Sequence, residues 1–310
     1  MQITGFADCE VVRDGATTVN AGILAGIVAK AKKGNEMHFV IDGTTLIVKS
    51  GSSRFKIETL DPDGFPSMGS GELPEIITMQ STVLKTSLDR IAYAMDNDTN
   101  RYYLNGAYMH SRDGKLRLVA TNGHVLALSD AYSDLSAYNG TDVIMPSKLV
   151  RFLQKALVNG DIKINLSNHK IKVESGEWSI VSKLIDGTFP DYNRVIPQSY
   201  GNEVQVSVSN LSESIARVGA VMENNNTAMA FDFGDSGLHL SMQSGGSSAE
   251  DRLQIIGEYK HQRIGLNYKL MLESLAVVNG DSVSLSYNDQ ATPIKLIDAN
   301  GLSLVMPMRL

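Results

Sequence analysis

Cysteine is almost absent: Cys9 is the single one among 310 residues, which excludes an intrachain disulfide and a cysteine metal cluster. A lone cysteine is usually a small buried hydrophobe, and Cys9 is assigned no role. No run of eighteen apolar residues occurs, and the N-terminus lacks a basic and then apolar leader. Membrane insertion and secretion are therefore not indicated, and a cytoplasmic location is expected. Glycine-rich phosphate loops, zincin motifs and a Ser or Cys nucleophile in a recognisable setting are also missing. The six histidines, at 38, 110, 124, 169, 239 and 261, show no metal-ligand spacing. His124, in Thr121-Asn122-Gly123-His124, reads as a turn or pocket-lining residue rather than a catalytic one. Asp61, Asp186 and Asp191 read as turn residues, and 244–248 as a flexible loop. No catalytic residue, metal site or cofactor is expected, and an enzyme is disfavoured.

What is present is repetition. An apolar fraction of 43% allows real cores, and the length suits two or three domains. Three stretches share one design, in which apolar residues at helical spacing give way to alternation, the change of period from helix to strand. The first has Leu24, Ile27, Val28 and Ala31, then Gly34 and strands at 37–41 and 46–49. The second has Leu149, Phe152, Leu153, Ala156 and Leu157, then Gly160 and strands at 162–166 and 171–174. The third has Met271, Leu272, Leu275 and Val278, then Gly280 and strands at 283–287 and 294–297. The glycines are read as left-handed residues just past each helix. Their positions, 34, 160 and 280, lie 126 and 120 residues apart, a domain-sized period rather than a solenoid one.

A second unit alternates with the first. Leu84, Leu88, Ile91, Ala92 and Met95 form one helix face, followed by strands at 102–104 and 116–120 about an Asp113-Gly114 turn. Leu211, Ile215, Val218 and Met222 form its counterpart, with strands at 227–231 and 238–242. Each repeat is therefore two helix-plus-antiparallel-strand halves, an α+β arrangement. The domains are expected at 1–71, 72–197 and 198–310. Residues 1–4 read like the late strand 116–119, so the first domain is expected to lack most of its opening half.

The net charge of −6 becomes informative when divided. The five predicted helices carry Lys30, Lys32, Lys33, Lys85, Arg90, Lys148, Arg151, Lys155, Arg217 and Lys269 against Asp89, Glu213 and Glu273. Ten cations and three anions leave +7 on the helices and −13 elsewhere. Solvated helix faces would also carry such charge. Its recurrence on every repeat points instead to a positive surface facing a polyanion.

Specific strings narrow the reading. Arg101-Tyr102-Tyr103-Leu104-Asn105-Gly106, Val119-Ala120-Thr121-Asn122-Gly123-His124, Lys183-Leu184-Ile185-Asp186-Gly187-Thr188-Phe189-Pro190-Asp191-Tyr192 with Arg194-Val195, and the terminal Val305-Met306-Pro307-Met308-Arg309-Leu310 resemble the bacterial sliding clamp family, the beta subunit of DNA polymerase III. The resemblance runs in order along essentially the whole chain. It implies the DNA clamp (processivity) fold, with helices lining a hole and sheets on the outer rim, in a head-to-tail dimer encircling duplex DNA. The implied function is to tether polymerases, the clamp loader and repair proteins, without catalysis. Sequence-independent phosphate attraction and topological linkage suffice for that task.

The resemblance also assigns sites. A cleft for short linear peptides would use Leu104, Thr121, Gly123, His124, Leu126, Pro190, Arg194, Val195, Met306, Pro307, Met308, Arg309 and Leu310. Two departures from the family pattern stand beside it, Asn122 in place of Asp and Val125 in place of a basic residue, and both suggest a changed peptide preference. DNA-facing candidates are Lys30, Lys32, Lys33, Arg101, Tyr102, Tyr103, Lys148, Arg151 and Lys155. The subunit seam would join Phe55 and Ile57 to Ala220 and Val221. Because the opening half-domain reads as missing, dimerisation is expected to be altered or weakened, and an exposed apolar edge is expected at 1–12. The alternative reading is a truncated clamp that captures partners without closing around DNA.

Overall fold

Among the described residues of the computed structural model, five stretches with apolar residues three and four apart form five α-helices: α1 (Ala21–Lys30), α2 (Ser81–Ile91), α3 (Ser147–Ala156), α4 (Val208–Gly219) and α5 (Tyr268–Ala276). The structure describes all residues except 70–72, 132–134, 136–137, 139, 177 and 223–226, and for residues 75, 76 and 258 the backbone alone. The chain divides into two units, one of Phe6–Ser70 with Gln2, the other of Gly71–Leu310 with Met1 and Ile3–Gly5. The expected boundary at 71/72 lies outside the described residues.

In the smaller unit, Asn20 caps α1 by accepting the Ile23 amide at 3.1 Å. The helix precedes an antiparallel four-stranded sheet in the order Thr18–Val19, Ser53–Leu60, Thr45–Ser50, Met37–Asp42. Its core is small: Leu46, Val48 and Ile57 are buried, with Leu24, Ile27, Met37 and Ile41 packed on them. Cys9 is exposed, contrary to the usual burial of a lone cysteine.

Among the described residues, the larger unit forms two five-stranded sheets and one nine-stranded sheet. One five-stranded sheet runs Gln2–Gly5, Trp178–Lys183, Lys170–Ser175, Asp161–Leu166, Glu75–Gln80. The other runs Ser247–Leu253, Gly237–Ser244, Met229–Gly234, Gln262–Leu266, Pro307–Met308. The nine-stranded sheet is continuous across the second and third repeats, because Gly301–Val305 pairs antiparallel with Val125–Ala131. Glycine is required at 301: a Cβ there would lie 2.1 Å from the Leu128 carbonyl oxygen and 2.7 Å from Arg90 Nε. One core unites the buried faces of α2 (Leu84, Leu88, Ile91), α3 (Leu149, Val150, Leu153), α4 (Leu211, Ile215, Val218) and α5 (Met271, Leu275) with the strands beneath. Each such side chain contributes about 1.5–3 kcal/mol on burial.

The structure corrects four expectations here. Gly34, Gly160 and Gly280 have φ of 90°, 100° and 129°, yet each lies three residues beyond its cap, at Ala31, Leu157 and Val277. They turn the chain into the next strand rather than closing the helix. Lys32 and Lys33 consequently lie outside α1. Residues 102–104 belong to a 3-10 segment, Thr99–Leu104, capped by Asp98, which accepts the Asn100 amide at 2.8 Å, and the strand begins at Gly106. Residues 244–248 form no loose loop: Ser244 pairs with Ser247 across a tight hairpin turn with Gly245 at φ 57°.

Candidate functional site

The helix face of the nine-stranded sheet covers the main core, but its opposite face is apolar as well. Cross-strand rows on that face read Tyr108, Val119, Leu128, Leu302 and Thr121, Leu126, Leu304. A third row is polar, His110, Arg117, Asp130. The segment following Trp178–Lys183 lies over these rows and closes a second core of Leu104, Val119, Leu126, Leu128, Ile144, Phe189, Tyr192 and Leu304. Phe189 stacks on Tyr108 with ring centres 4.8 Å apart and planes 4° apart. Asp191 caps the 3-10 turn Tyr192–Val195 by accepting the Asn193 amide at 3.2 Å, and Asp61 accepts the Asp63 amide at 2.9 Å in the same manner. Both aspartates do the turn chemistry read from the sequence.

The predicted cleft residues gather around this second core. Leu104 and Leu126 are within it, and Arg194 and Val195 are exposed on the turn that Tyr192 roots in it. Thr121 Oγ1 donates to the Val125 carbonyl at 2.7 Å and accepts the Gly123 amide at 3.1 Å. This tight turn, with Gly123 at φ 88°, presents His124 to solvent. The C-terminal segment adjoins it, Met306 N donating to the His124 carbonyl at 2.9 Å. Pro307–Met308 then pairs with Gln262–Leu266, so the tail bridges two sheets instead of fraying. Pro190 is exposed and lines a cavity of about 350 Å³ with Tyr108, His110 and Tyr192. Arg309 and Leu310 depart from the group, lining a groove of about 820 Å³ with Ala230, Ser241, Glu250 and Arg263.

Of the two departures, Val125 is 1% exposed and points into the main core, so it cannot touch a ligand in the cleft. Asn122 Oδ1 accepts the amides of His124 and Val125 at 2.9 and 3.0 Å. An aspartate carboxylate would accept the same two.

The cationic candidates differ sharply in their surroundings. On α3, Lys148, Arg151 and Lys155 are exposed at i, i+3 and i+7, opposite buried Leu149, Val150 and Leu153. None of the three forms an ion pair among the described residues. Lys30, Lys32 and Lys33 are exposed in the smaller unit. Arg101 is committed locally, 2.9 Å from Asp96, 3.4 Å from Asp98 and donating to the Asn122 carbonyl at 3.1 Å. Tyr102 is half exposed and meets Tyr103 edge-on at 5.8 Å. Arg90, counted among the helix surface charges, is instead buried against Asp298, and Arg217 is paired with Asp251 at 2.7 Å. The helices therefore present less free positive charge than the sequence total suggests.

For the seam, Phe55 is 36% exposed, but Ile57 is 3% exposed and belongs to its own unit's core, because that core lies on the face both side chains share. Ala220 is exposed and Val221 half-buried at the end of α4.

Residues 1–69, 78–191 and 193–309 match, in that order, the family descriptions "DNA polymerase III beta subunit" N-terminal, central and C-terminal domain. The chain belongs to the beta sliding clamp family. A crystal structure of a sliding clamp from Bartonella birtlesii bound to griselimycin is 32% identical, with a TM-score of 0.93 over 99% of this chain and 86% of that one. A sliding clamp structure from Pseudomonas aeruginosa is 28% identical, with a TM-score of 0.92 over 99% and 86%. The beta sliding clamp of Escherichia coli K12 is 28% identical over 96% of this chain and 82% of its own. The fold is thus the DNA clamp fold, and the family role is that of a non-catalytic processivity factor of DNA polymerase III acting with DNA and polymerase.

The aromatic and polar rows beneath the Tyr192–Val195 turn were missed in the sequence. A signal was available: Val119 and Leu128 are apolar on the face that alternation assigns to solvent, as in a sheet covered on both sides.

Proposed function

We propose that this chain encircles duplex DNA as a sliding clamp and holds polymerases, the clamp loader and repair proteins through the cleft around the second core. The carrying observation is the hydrogen bond from Met306 to the His124 carbonyl. It abuts the C-terminal apolar tail to the 121–125 turn, and Leu126 and Leu304, paired across the same strands, link both to the core in which Tyr192 sits. Leucine, valine and deformable methionine make a socket tolerant of many apolar peptides. Griselimycin, held by the Bartonella birtlesii clamp, is inferred to occupy this cleft. We take the domains as 1–71, 72–197 and 198–310, and the setting as the cytoplasm.

DNA would meet α3 through Lys148, Arg151 and Lys155, with Lys30, Lys32, Lys33, Tyr102 and Tyr103 as further contacts. Such point charges attract phosphates without reading bases, so contacts exchange as the clamp slides.

Pseudo-symmetry supports a head-to-tail dimer. The closing strand of the third repeat, Gly301–Val305, pairs with Val125–Ala131 of the second, and that of the second, Trp178–Lys183, pairs with Gln2–Gly5. By the same rule Ser53–Leu60 should pair with Ser247–Leu253 of a second copy; the latter is a sheet edge, and the former is bonded on one side only through Thr59 and Leu60. Phe55, Ala220 and Val221 would flank that seam. Primer extension on a long single-stranded circle, with loader and ATP, tests the reading: the chain should lengthen products at fixed polymerase, and unchanged lengths would refute it.

A further inference from the structure

His110 is 8% exposed and enclosed by chemistry that discriminates between its charge states. Its Nδ1 lies 3.3 Å from the Ser111 carbonyl oxygen, an acceptor, so Nδ1 carries the proton. Nε2, 3.0 Å from the Tyr192 hydroxyl, is then the acceptor and Tyr192 the donor. Arg117, clamped to Asp130 by two bonds of 2.5 and 2.7 Å, adds positive charge beside this pair. The ring stacks on Tyr108 at 4.7 Å, and Tyr108 donates to Asp142 at 2.6 Å. Arg112, on the same strand, donates to Asn193 Oδ1 at 2.6 Å, and Asp191 lines the same cavity. Tyr192 opens the turn that ends in Arg194 and Val195.

We propose that His110 is a positioning residue for peptide capture, its neutral imidazole holding Tyr192, and through it the turn carrying Arg194 and Val195, in the pose that admits a partner peptide. The inference rests on the cleft reading above. Protonation turns Nε2 into a donor, so two donors then face one another and the Tyr192 hydrogen loses its acceptor. Burial already opposes the charged ring; the Ser111 carbonyl and Asp142 partly offset this, and Arg117 and Arg112 add smaller opposition. Asp130 is occupied by Arg117 and cannot neutralise the new charge.

The test is titration of griselimycin by calorimetry at pH 7.5 and 5.5, the pH response of each variant being read against that of the parent. The parent should weaken by roughly tenfold at the lower pH, the equivalent of one lost hydrogen bond of about 1.4 kcal/mol. His110→Gln keeps an acceptor that cannot be protonated and should bind equally at both. Tyr192→Phe keeps the ring but not the hydroxyl, and should be weak and pH-independent. Should His110→Gln fail to fold, the flat profile of Tyr192→Phe carries the same test. A flat parent profile, or a pH response in His110→Gln or Tyr192→Phe as large as the parent's, would overturn the proposal alone. Absence of binding by folded parent at both pH values would overturn the cleft reading and this inference with it.

Discussion

Arg90 Nη1 lies 2.5 Å from Asp298 Oδ2, with both side chains at most 3% exposed, and so ties α2 of the second repeat to the last hairpin of the third. Arg90 also donates to the Val277 carbonyl at 3.1 Å, while Asp298 accepts the amides of Asn279, Asn300 and Gly301. Removing Arg90 alone would strand a buried carboxylate, so Arg90→Met should destabilise by about 3–5 kcal/mol in urea unfolding. Adding Asp298→Asn, whose single amide oxygen still accepts from Asn300 and Gly301 but not also from Asn279, removes the charge and should recover part of that loss. With Asp298→Asn alone measured as well, a double-variant loss equal to the sum of the two single losses would show that the pair is not energetically coupled.

The α3 stripe should govern attraction to DNA without affecting the fold. Lys148→Gln, Arg151→Gln and Lys155→Gln together should weaken binding to duplexes of unrelated sequence alike. They should flatten the dependence of log affinity on log salt by up to about three units, near 0.9 for each phosphate that is no longer neutralised. Fluorescence anisotropy across a salt series measures this. An unchanged slope would place the DNA elsewhere.

Exposure separates capture from stability within the cleft. Val195 is 47% exposed, so Val195→Asp should leave the melting temperature nearly unchanged while abolishing griselimycin binding. Leu126 is 3% exposed, and Leu126→Ala should cost about 2–5 kcal/mol of stability whatever its effect on binding. Calorimetric titration paired with thermal melts distinguishes the two outcomes. Normal binding by Val195→Asp would move the cleft away from this turn.

His110 also predicts how stability responds to acid. Burial, the main cause, holds its folded pKa below the ordinary 6.5, so the unfolded chain takes up the proton first. The stabilisation is complete above about pH 6.5 and is lost as pH falls through the lowered folded value, at no more than about 1.4 kcal/mol per pH unit. Chemical unfolding of the parent between pH 7.5 and 5.5 should show this loss, and His110→Gln should show less of it. Identical losses in both would assign the acid response to other groups.

Much of the architecture was legible because helix and strand periods write themselves into local sequence. All five helices and the paired strands after Gly34, Gly160 and Gly280 fall where spacing places them. What was illegible depends on distant partners. A cation at Arg90 reads as a surface charge until Asp298, 208 residues away, is brought beside it. Tyr102-Tyr103-Leu104 has strand-like composition, yet the Asp98 cap and the Arg101 ion pairs hold it in a 3-10 segment. The cleft strings were recognisable as strings. That Val125 and Ile57 point inward follows only from which face each sheet buries.

Encirclement is a topological property, and a plasmid reports on it without regard to contact strength. Loaded onto a nicked circular plasmid and freed of unbound protein by gel filtration, the chain should co-elute with the circle and be lost within minutes once a restriction enzyme linearises it. Equal retention on circular and linear DNA, or failure to remain on the circle when loader and ATP are supplied, would contradict encirclement.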